Sequence, residues 1–374
     1  MPKNRYLEAL REIGQSIWYD NLSRDVLASG ELAKIIEQGV SGLTSNPTIF
    51  NKAIVGSTHY ESQLKELTSQ GLSPEEICDA LMIEDVREAA RLLTPVYEET
   101  EGLDGYASIE VSPLLARDTE STIKEAKRIF GELNMPNIMI KVPATSEGIP
   151  AIETLISEGV NVNCTLIFSC KVYKDVMDAY IAGIRKRAEA GHSLSVASVA
   201  SFFVSRVDAA CEKFYAKLVE RGEADPSQEK EFLGKVGIAN SKIAYNAFEE
   251  TFSSDTFNDL KNQGASLQRP LWASTGTKNP AFSPILYVEE LAGRNTVNTL
   301  PPKTLFKLME GATIEPRLHS GLEESRELIR KINSMGIPFD NLLVELEKDG
   351  VEAFANSYRS LVNDIEKKVD ALKG

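Results

Sequence analysis

The sequence is poor in the residues that hold metals or form disulfide scaffolds. Its 374 residues include three histidines and four cysteines, and no two cysteines form a CxxC pair. Zinc sites need cysteines and histidines clustered at short spacings, so no metal site is expected. Four scattered cysteines also do not suggest a disulfide scaffold, which favours a reducing, cytoplasmic compartment.

Positive charge is also scarce. Lysine and arginine number 41 against 55 aspartate and glutamate residues, for a formal net charge of −14. Nucleic acids and anionic membrane surfaces are bound mainly through basic faces, so neither is an expected partner. An anionic ligand would have to be bound by a few local cations against the overall negative field.

Long apolar runs and nucleotide-binding glycine motifs are absent as well. No run approaches the ~18–20 apolar residues that span a bilayer, and the first residues lack the apolar stretch of a signal peptide. No GxGxxG motif follows a predicted strand and no GxxxxGK[ST] motif occurs, which disfavours the two commonest doubly wound nucleotide-binding folds. The remaining composition, 42% hydrophobic and 26% charged, is typical of a globular protein.

Short apolar runs alternate with helical patterns along the chain. Strands are predicted at residues 17–20, 40–46, 106–112, 138–142, 161–168, 197–206, 271–275 and 296–300. Eight strands that alternate with helices indicate a parallel sheet and predict an α/β fold, a (β/α)8 TIM barrel. Extra helices are predicted in an insertion at 207–268 and at the C-terminus, and we expect one domain over residues 1–374.

Alternation within these strands directs polar side chains to the inside of the barrel. Alternate residues of a barrel strand face the interior, and active sites lie at the carboxyl ends of the strands. On this pattern Ile138, Ile140 and Val142 face the helix layer, whereas Lys141 faces inward. The same argument directs inward Asp20, Thr44, Asn46, Ser108, Glu110, Ser112, Asn163 and Thr165.

Each of these residues has an ordinary structural explanation when taken alone. Lys141 closes an apolar strand, where a charged head usually meets water, and Asp20 or Glu110 could belong to an ion pair. Asn46 precedes a proline and could simply start a turn. Their convergence in one concave volume favours function, because unpaired polar groups are costly to bury.

The residue types suit Schiff-base chemistry. A low-dielectric pocket disfavours the charged form of a lysine, and a free amine attacks a carbonyl to form an imine. The protonated imine withdraws electrons, so that a nearby carbon–carbon bond breaks when a base takes a hydroxyl proton. Lys141, Asp20 and Glu110 supply these groups, and Asn46 and Asn163 can hold sugar hydroxyls.

Two cations near strand ends could bind an anionic end of such a sugar. Arg206 is predicted to end the sixth strand, and Lys278 follows the seventh. Loops after strands seven and eight often bind phosphate in these barrels, with arginine giving bidentate contacts and lysine a point charge. The alternative is that Arg206 only starts a helix and Lys278 is a solvated loop charge.

Several long segments occur in the same order as in one enzyme family. They include GLTSNPT at 42–48, IMIKVPAT at 138–145 and GVNVNCTLIFS at 159–169, with further matches at 198–206 and 272–280. The sequence resembles the transaldolases, Schiff-base class I aldolase-type enzymes of the pentose phosphate pathway. This resemblance implies reversible transfer of a dihydroxyacetone unit from sedoheptulose 7-phosphate to glyceraldehyde 3-phosphate, giving erythrose 4-phosphate and fructose 6-phosphate, without a metal or an organic cofactor.

The resemblance also implies catalytic roles for four residues. Lys141 matches the Schiff-base lysine of the family, and Asp20 matches the acid/base carboxylate for carbon–carbon cleavage. Glu110 and Thr165 match the pair that holds a catalytic water.

Five further residues correspond to substrate contacts. Asn46 and Asn163 match residues that contact the donor and the intermediate, and Ser201 and Arg206 match the phosphate site. Lys278 stands in the loop after the seventh strand, where many relatives carry an arginine. Phosphorylated sugars are thus the implied partners, and the sequence does not distinguish a monomer from a homo-oligomer.

Two other interpretations are compatible with this site. Fructose-6-phosphate aldolases are similar but release free dihydroxyacetone; they are much shorter and tend to have tyrosine in place of Phe203. The length of the chain and Phe203 therefore favour transfer. A non-catalytic sugar-phosphate-binding barrel is opposed by the presence of all three reactive residues.

Overall fold

Eight parallel strands close into a barrel in chain order in the computed structural model of the protein, which describes residues 2–373. The strands are β1 (Gln15–Tyr19), β2 (Gly42–Thr44), β3 (Tyr106–Glu110), β4 (Ile138–Pro143), β5 (Val162–Ile167), β6 (Ser198–Phe203), β7 (Arg269–Ala273) and β8 (Thr296–Leu300). β8 pairs with β1 and completes the closure. The prediction of a (β/α)8 TIM barrel is confirmed.

Helices surround the barrel and follow its strands. They are α1 (Arg5–Ile13), α2 (Arg24–Ala28), α3 (Glu31–Glu37), α4 (Pro47–Gly56), α5 (Glu61–Ser69), α6 (Pro74–Glu99), α7 (Thr119–Leu133), α8 (Gly148–Ser157), α9 (Cys170–Glu189), α10 (Ser205–Glu220), α11 (Val236–Phe252), α12 (Asp255–Asn262), α13 (Leu286–Glu290), α14 (Pro302–Glu310), α15 (Leu322–Ser334) and α16 (Phe339–Lys373). The predicted helical insertion at 207–268 contains most of α10, then α11 and α12. Among the described residues, no helix combines the length and apolar character needed to cross a bilayer.

Several predicted strands end earlier in the structure, and at β2 and β6 the reason is that a helix begins there. β2 stops at Thr44, and the Asn46 side chain then caps α4 by accepting a hydrogen bond from the Ile49 amide at 3.1 Å. β6 stops at Phe203, so the prediction that Arg206 ends this strand is wrong. Arg206 lies instead in the first turn of α10.

The inside and outside of the barrel wall follow the predicted alternation. Ile138, Ile140 and Val142 belong to the apolar layer shared with the helices. Met139 belongs to a second apolar cluster together with Trp18 from β1, and this cluster continues into residues of α10, α15 and α16. The polar residues lie at the carboxyl ends of the strands.

The amino end of the barrel is closed by an ion pair and an indole ring. Arg269 Nη2 lies 3.0 Å from Asp104 Oδ1, and Trp18 Nε1 donates a hydrogen bond to the same oxygen at 2.9 Å. Gly42 makes room for this indole, because a Cβ atom at that position would lie 2.6 Å from its ring. The cavity at the opposite end therefore has a packed floor.

Candidate active site

The carboxyl ends of the strands surround a cavity of about 650 Å³. The predicted site residues that line it are Asp20, Asn46, Lys141, Thr165, Ser201, Arg206 and Lys278. The other two, Glu110 and Asn163, are buried behind this lining and contact it. The structure thus brings all nine predicted side chains into one region.

Lys141 extends from β4 to the floor of the cavity, with its side chain 7% exposed. Its Nζ donates a hydrogen bond to the main-chain carbonyl of Ser45 at 2.9 Å, and Glu110 Oε2 lies 3.4 Å away. Glu110 of β3 is the register partner of Lys141, so strand pairing itself sets the carboxylate beside the amine. A buried amine that faces a cavity is positioned to attack a carbonyl carbon.

Glu110 and Thr165 present buried oxygen atoms without a hydrogen-bond partner among the described residues, apart from the ion-pair contact of Glu110 with Lys141. Among the described residues, neither Glu110 oxygen nor Thr165 Oγ1 has a well-formed hydrogen bond. Burial raises the pKa of the Glu110 carboxyl, and the charge of Lys141 acts in the opposite direction. Buried polar atoms are nearly always satisfied, so these oxygens suit a small polar ligand such as water.

Asp20 follows β1 and lies at the cavity edge. Its Oδ1 accepts a hydrogen bond from Thr44 Oγ1 at 2.7 Å, and Thr299 Oγ1 lies 2.7 Å from the same hydroxyl. Burial raises the pKa of Asp20, while the Lys141 charge and the Thr44 hydrogen bond oppose that effect. Burial thus raises the pKa of this carboxyl, while the positive charges of Lys141, Lys278 and Arg206 lower it. A carboxyl in such an environment can accept and return a proton.

Asn163 is held in a hydrogen-bonded row inside the barrel. Its Nδ2 donates to Ser108 Oγ at 3.2 Å, and its Oδ1 accepts from Ser201 Oγ at 2.7 Å. Ser201 lines the cavity, whereas Asn163 is fully buried. The row fixes the orientation of Ser201 at the cavity wall.

Two cations occupy the far side of the cavity. The Arg206 guanidinium lies 5.3 Å from the Phe203 ring centroid and 5.8 Å from that of Phe354, so aromatic rings flank it. Burial and the neighbouring Arg206 both lower the pKa of Lys278, with Asp20 opposing them. Burial also lowers the pKa of Arg206, and an anion bound at the cavity wall would stabilise both charges.

The loop after β7 carries backbone strain beside these cations. Ser274 lines the cavity and has a φ of 55°, in the left-handed region that non-glycine residues seldom adopt. Its Oγ lies 3.0 Å from Ser205 Oγ, next to Arg206 in the first turn of α10. This contact joins the two segments that hold the cations.

Several residues of the site were not assigned by sequence reasoning. Thr44 was directed inward by alternation but given no role, although it hydrogen-bonds Asp20. Ser45 contributes a carbonyl, which no side-chain pattern reports. Ser274 lies in the matched segment 272–280 but was given no role, and nothing in the sequence around Phe354 indicates that it lines the cavity.

A family model described as Transaldolase/Fructose-6-phosphate aldolase matches residues 17–365 of this chain. The chain belongs to the transaldolase family. The sequence-based assignment to the transaldolases, and with it the prediction of an enzyme, is confirmed.

Curated relatives in this family match over almost their whole length. A transaldolase of Saccharopolyspora erythraea is 45% identical, with 100% of both chains covered. A transaldolase of Trichodesmium erythraeum is 43% identical over 100% of this chain and 99% of the relative. A transaldolase of Mycolicibacterium smegmatis is 44% identical over 100% of both chains. The additional helices of this chain therefore lie within a length that these transaldolases share.

Proposed function

We propose that this member of the transaldolase family transfers a dihydroxyacetone unit between phosphorylated sugars through a Schiff base on Lys141. The observation that carries the proposal is the burial of the Lys141 amine beside Glu110, facing a cavity that also holds Asp20. The donor is a ketose phosphate, sedoheptulose 7-phosphate or fructose 6-phosphate. The acceptor is the corresponding aldose phosphate, glyceraldehyde 3-phosphate or erythrose 4-phosphate.

Attachment of the donor begins at the lysine. Lys141 Nζ adds to the ketose carbonyl carbon, and the carbinolamine loses water to form an iminium ion. Glu110 and Thr165 supply the buried oxygens that suit a water at this point, next to the 3.4 Å contact between Glu110 and the amine. A water held there carries protons during carbinolamine formation and dehydration.

Cleavage then needs a base at the hydroxyl of the bond that breaks. Asp20 takes that proton, the carbon–carbon bond breaks, and the aldehyde leaves while the iminium becomes an enamine. Transfer is the reverse sequence with a different aldehyde. The raised pKa of Asp20 supports its role as a group that both accepts and returns a proton.

The anionic end of the sugar has its partners across the cavity. Arg206 is proposed to bind the phosphate with Lys278 and Ser201, while Asn46 and Asn163 hold hydroxyls of the donor or of the intermediate. Asn163 already bonds Ser108 and Ser201, and the second hydrogen of its Nδ2 is left to donate to a ligand hydroxyl. Arg206 and Lys278 line the same cavity, which supports their binding one phosphate together.

We also propose that residues 1–374 form one catalytic domain that works in a reducing, cytoplasmic compartment. All four cysteines are free, and Cys78, Cys164 and Cys211 are buried. Buried thiols are suited to an environment in which they stay reduced.

Borohydride trapping tests the mechanism. The protein is incubated with fructose 6-phosphate and reduced, and the adduct is located by intact mass and peptide mapping. We expect a reduced dihydroxyacetone adduct on Lys141 and none in Lys141→Ala. Normal turnover by folded Lys141→Ala would contradict the mechanism.

A coupled assay distinguishes transfer from release. It compares the formation of a new ketose phosphate with the appearance of free dihydroxyacetone, and transfer is expected to dominate. Release as the main outcome would assign the chain to the fructose-6-phosphate aldolase activity, to which the same family model also refers.

A further inference from the structure

The C-terminal helix α16 runs across the cavity mouth and is tied down at both ends. Near its start, Glu347 Oε1 lies 3.7 Å from Arg117 Nη2, which belongs to the loop after β3. Farther along, α16 is bound to α4 by three polar contacts: Thr48 Oγ1 with Ser357 Oγ at 2.9 Å, Asn51 Nδ2 to Asp364 Oδ2 at 3.2 Å, and Lys368 Nζ to the Ile54 carbonyl at 2.8 Å. The helix thus spans the mouth between two sides of the barrel.

A glycine allows the helix to approach the barrel closely. Gly350 is buried within α16, where glycine costs about 1 kcal/mol relative to alanine. A Cβ atom at this position would lie 3.0 Å from Leu166 Cδ2 and 3.7 Å from Arg206 Nη1. The backbone of α16 therefore rests directly on residues of the cavity wall.

Phe354 lies one helical turn after Gly350 and faces the cavity. Its side chain lines the cavity, and the residue is 6% exposed. The ring centroid lies 5.8 Å from Lys141 Nζ and 5.8 Å from Arg206 Cζ. One aromatic ring from α16 thus covers both the proposed Schiff-base nitrogen and the proposed phosphate ligand.

We propose that Phe354 determines the fate of the lysine adduct, favouring transfer to an acceptor aldehyde over release of free dihydroxyacetone. This inference rests on the proposed function. It assigns a specificity-determining residue to a segment far in sequence from the other site residues.

The two fates diverge at the enamine carbon, and both end with hydrolysis of an iminium ion. In transfer, the enamine carbon attacks the aldehyde carbon, the aldehyde oxygen becomes a hydroxyl by gaining a proton, and water then adds to the iminium of the new ketose and frees it from Lys141. In release, the enamine carbon takes a proton instead and regenerates the iminium ion. A water molecule then adds to the iminium carbon and loses a proton, and the carbon–nitrogen bond breaks to give dihydroxyacetone and the free amine of Lys141.

An apolar ring beside the lysine nitrogen selects between these fates. The Phe354 ring, centred 5.8 Å from Lys141 Nζ, fills space beside the adduct from which a water could give a proton to the enamine carbon, and its ring offers that water no hydrogen-bond acceptor of ordinary strength. Because the same ring also flanks Arg206, the acceptor aldehyde phosphate is used at a saturating concentration, so that weaker phosphate binding does not alter the outcome. Loss of the ring should therefore speed release more than transfer.

The test compares Phe354→Ala and Phe354→Leu with the unmodified protein. The measured quantity is the ratio of free dihydroxyacetone released to ketose phosphate formed, at fixed concentrations of fructose 6-phosphate and erythrose 4-phosphate. We expect the ratio to rise about tenfold in Phe354→Ala, the effect of one aromatic contact on a barrier difference. In Phe354→Leu, which keeps part of the apolar cover, we expect a rise of about threefold.

Leu361→Ala is the matched control, because Leu361 is fully buried in the same helix but does not line the cavity. Loss of folded protein lowers both rates together and leaves the ratio unchanged, which is the expected result for this control. An unchanged ratio in folded Phe354→Ala overturns the inference. If that variant does not fold, an unchanged ratio in Phe354→Leu overturns it.

The parent protein separates this outcome from a failure of the proposed function. If the unmodified protein gives the borohydride adduct and transfers, while the ratio is insensitive to residue 354, only the inference about Phe354 is wrong. If the unmodified protein gives neither adduct nor transfer, the proposed function is wrong, and the inference falls with it.

Discussion

Asp208 is a buried aspartate whose ionisation should make the fold less stable at neutral pH than at pH 5. Its Oδ1 accepts a hydrogen bond from the Gly237 amide at 2.9 Å, in the first turn of α11. Its Oδ2 accepts from the Tyr287 hydroxyl at 2.7 Å. Burial nevertheless outweighs these contacts and raises the pKa of Asp208 from 3.8 to about 6.

The direction of the pH effect follows from this raised pKa. Between the unfolded and folded pKa values the native state binds more protons at Asp208 than the unfolded state does, so stability falls as pH rises. With values of 3.8 and about 6, the loss between pH 5 and 7 is about 1 kcal/mol from this group alone. The contribution is fully present only below the unfolded pKa and is lost once the pH exceeds about 6.

Asp208→Asn should remove that loss. An asparagine can accept the Gly237 hydrogen bond with its oxygen and donate to the Tyr287 hydroxyl with its amide, but it does not ionise. The free energy of unfolding of both proteins is measured by urea titration at pH 5, 6 and 7. We expect the decline between pH 5 and 7 to be about 1 kcal/mol smaller in the variant.

Other groups with raised pKa values cancel in this comparison. Burial also raises the pKa of Asp79 and of Glu212 to about 6, but both are present in the two proteins. Asp259→Asn, a change of an exposed aspartate on α12, is the control and should retain the parent pH dependence. An equal or steeper decline in Asp208→Asn would refute the reasoning.

Three further variants test the site and the barrel floor. Asp20→Asn should still form the borohydride-trapped adduct but slow cleavage by about 10²–10⁴, as seen in single-turnover rates; unslowed cleavage would exclude Asp20 as the base. Arg206→Ala should raise KM for fructose 6-phosphate by about tenfold or more and leave KM for unphosphorylated fructose nearly unchanged. An equal rise in KM for both sugars would contradict phosphate binding by Arg206. Gly42→Ala places a Cβ atom 2.6 Å from the Trp18 ring, so urea titration should show that the free energy of unfolding falls by about 1–3 kcal/mol. An unchanged free energy of unfolding would show that the indole moves freely.

Local patterns in the sequence were sufficient to predict the barrel and the direction of its strand side chains. The alternation in β4 directed Lys141 inward because successive side chains of a strand point to opposite faces, and this period needs no distant contact. The alternation ended where local geometry changed. Leu166, with φ of 60° at an irregularity in the pairing of β5 with β6, belongs to the same apolar cluster as Met139, although it directly follows the inward-facing Thr165.

Element ends were less predictable, since they depend on competing local preferences. No proline or glycine interrupts residues 197–206, yet β6 ends at Phe203 and α10 begins at Ser205. Arg206 consequently reaches the cavity from the first turn of a helix. Its presence at the site was predicted, but the element that carries it was not.

The sequence by itself determined the eight strands that alternate with helices, the inward direction of the lysine and the carboxylates, and the family of the chain. Each of these follows from short contiguous segments of sequence. Only the tertiary structure decided what covers the site. The amphipathic pattern of α16 indicates which face is buried but does not indicate what it is buried against. Phe354 meets Lys141 from a position 213 residues later in the chain, through the path of a helix held by contacts with α4 and the loop after β3.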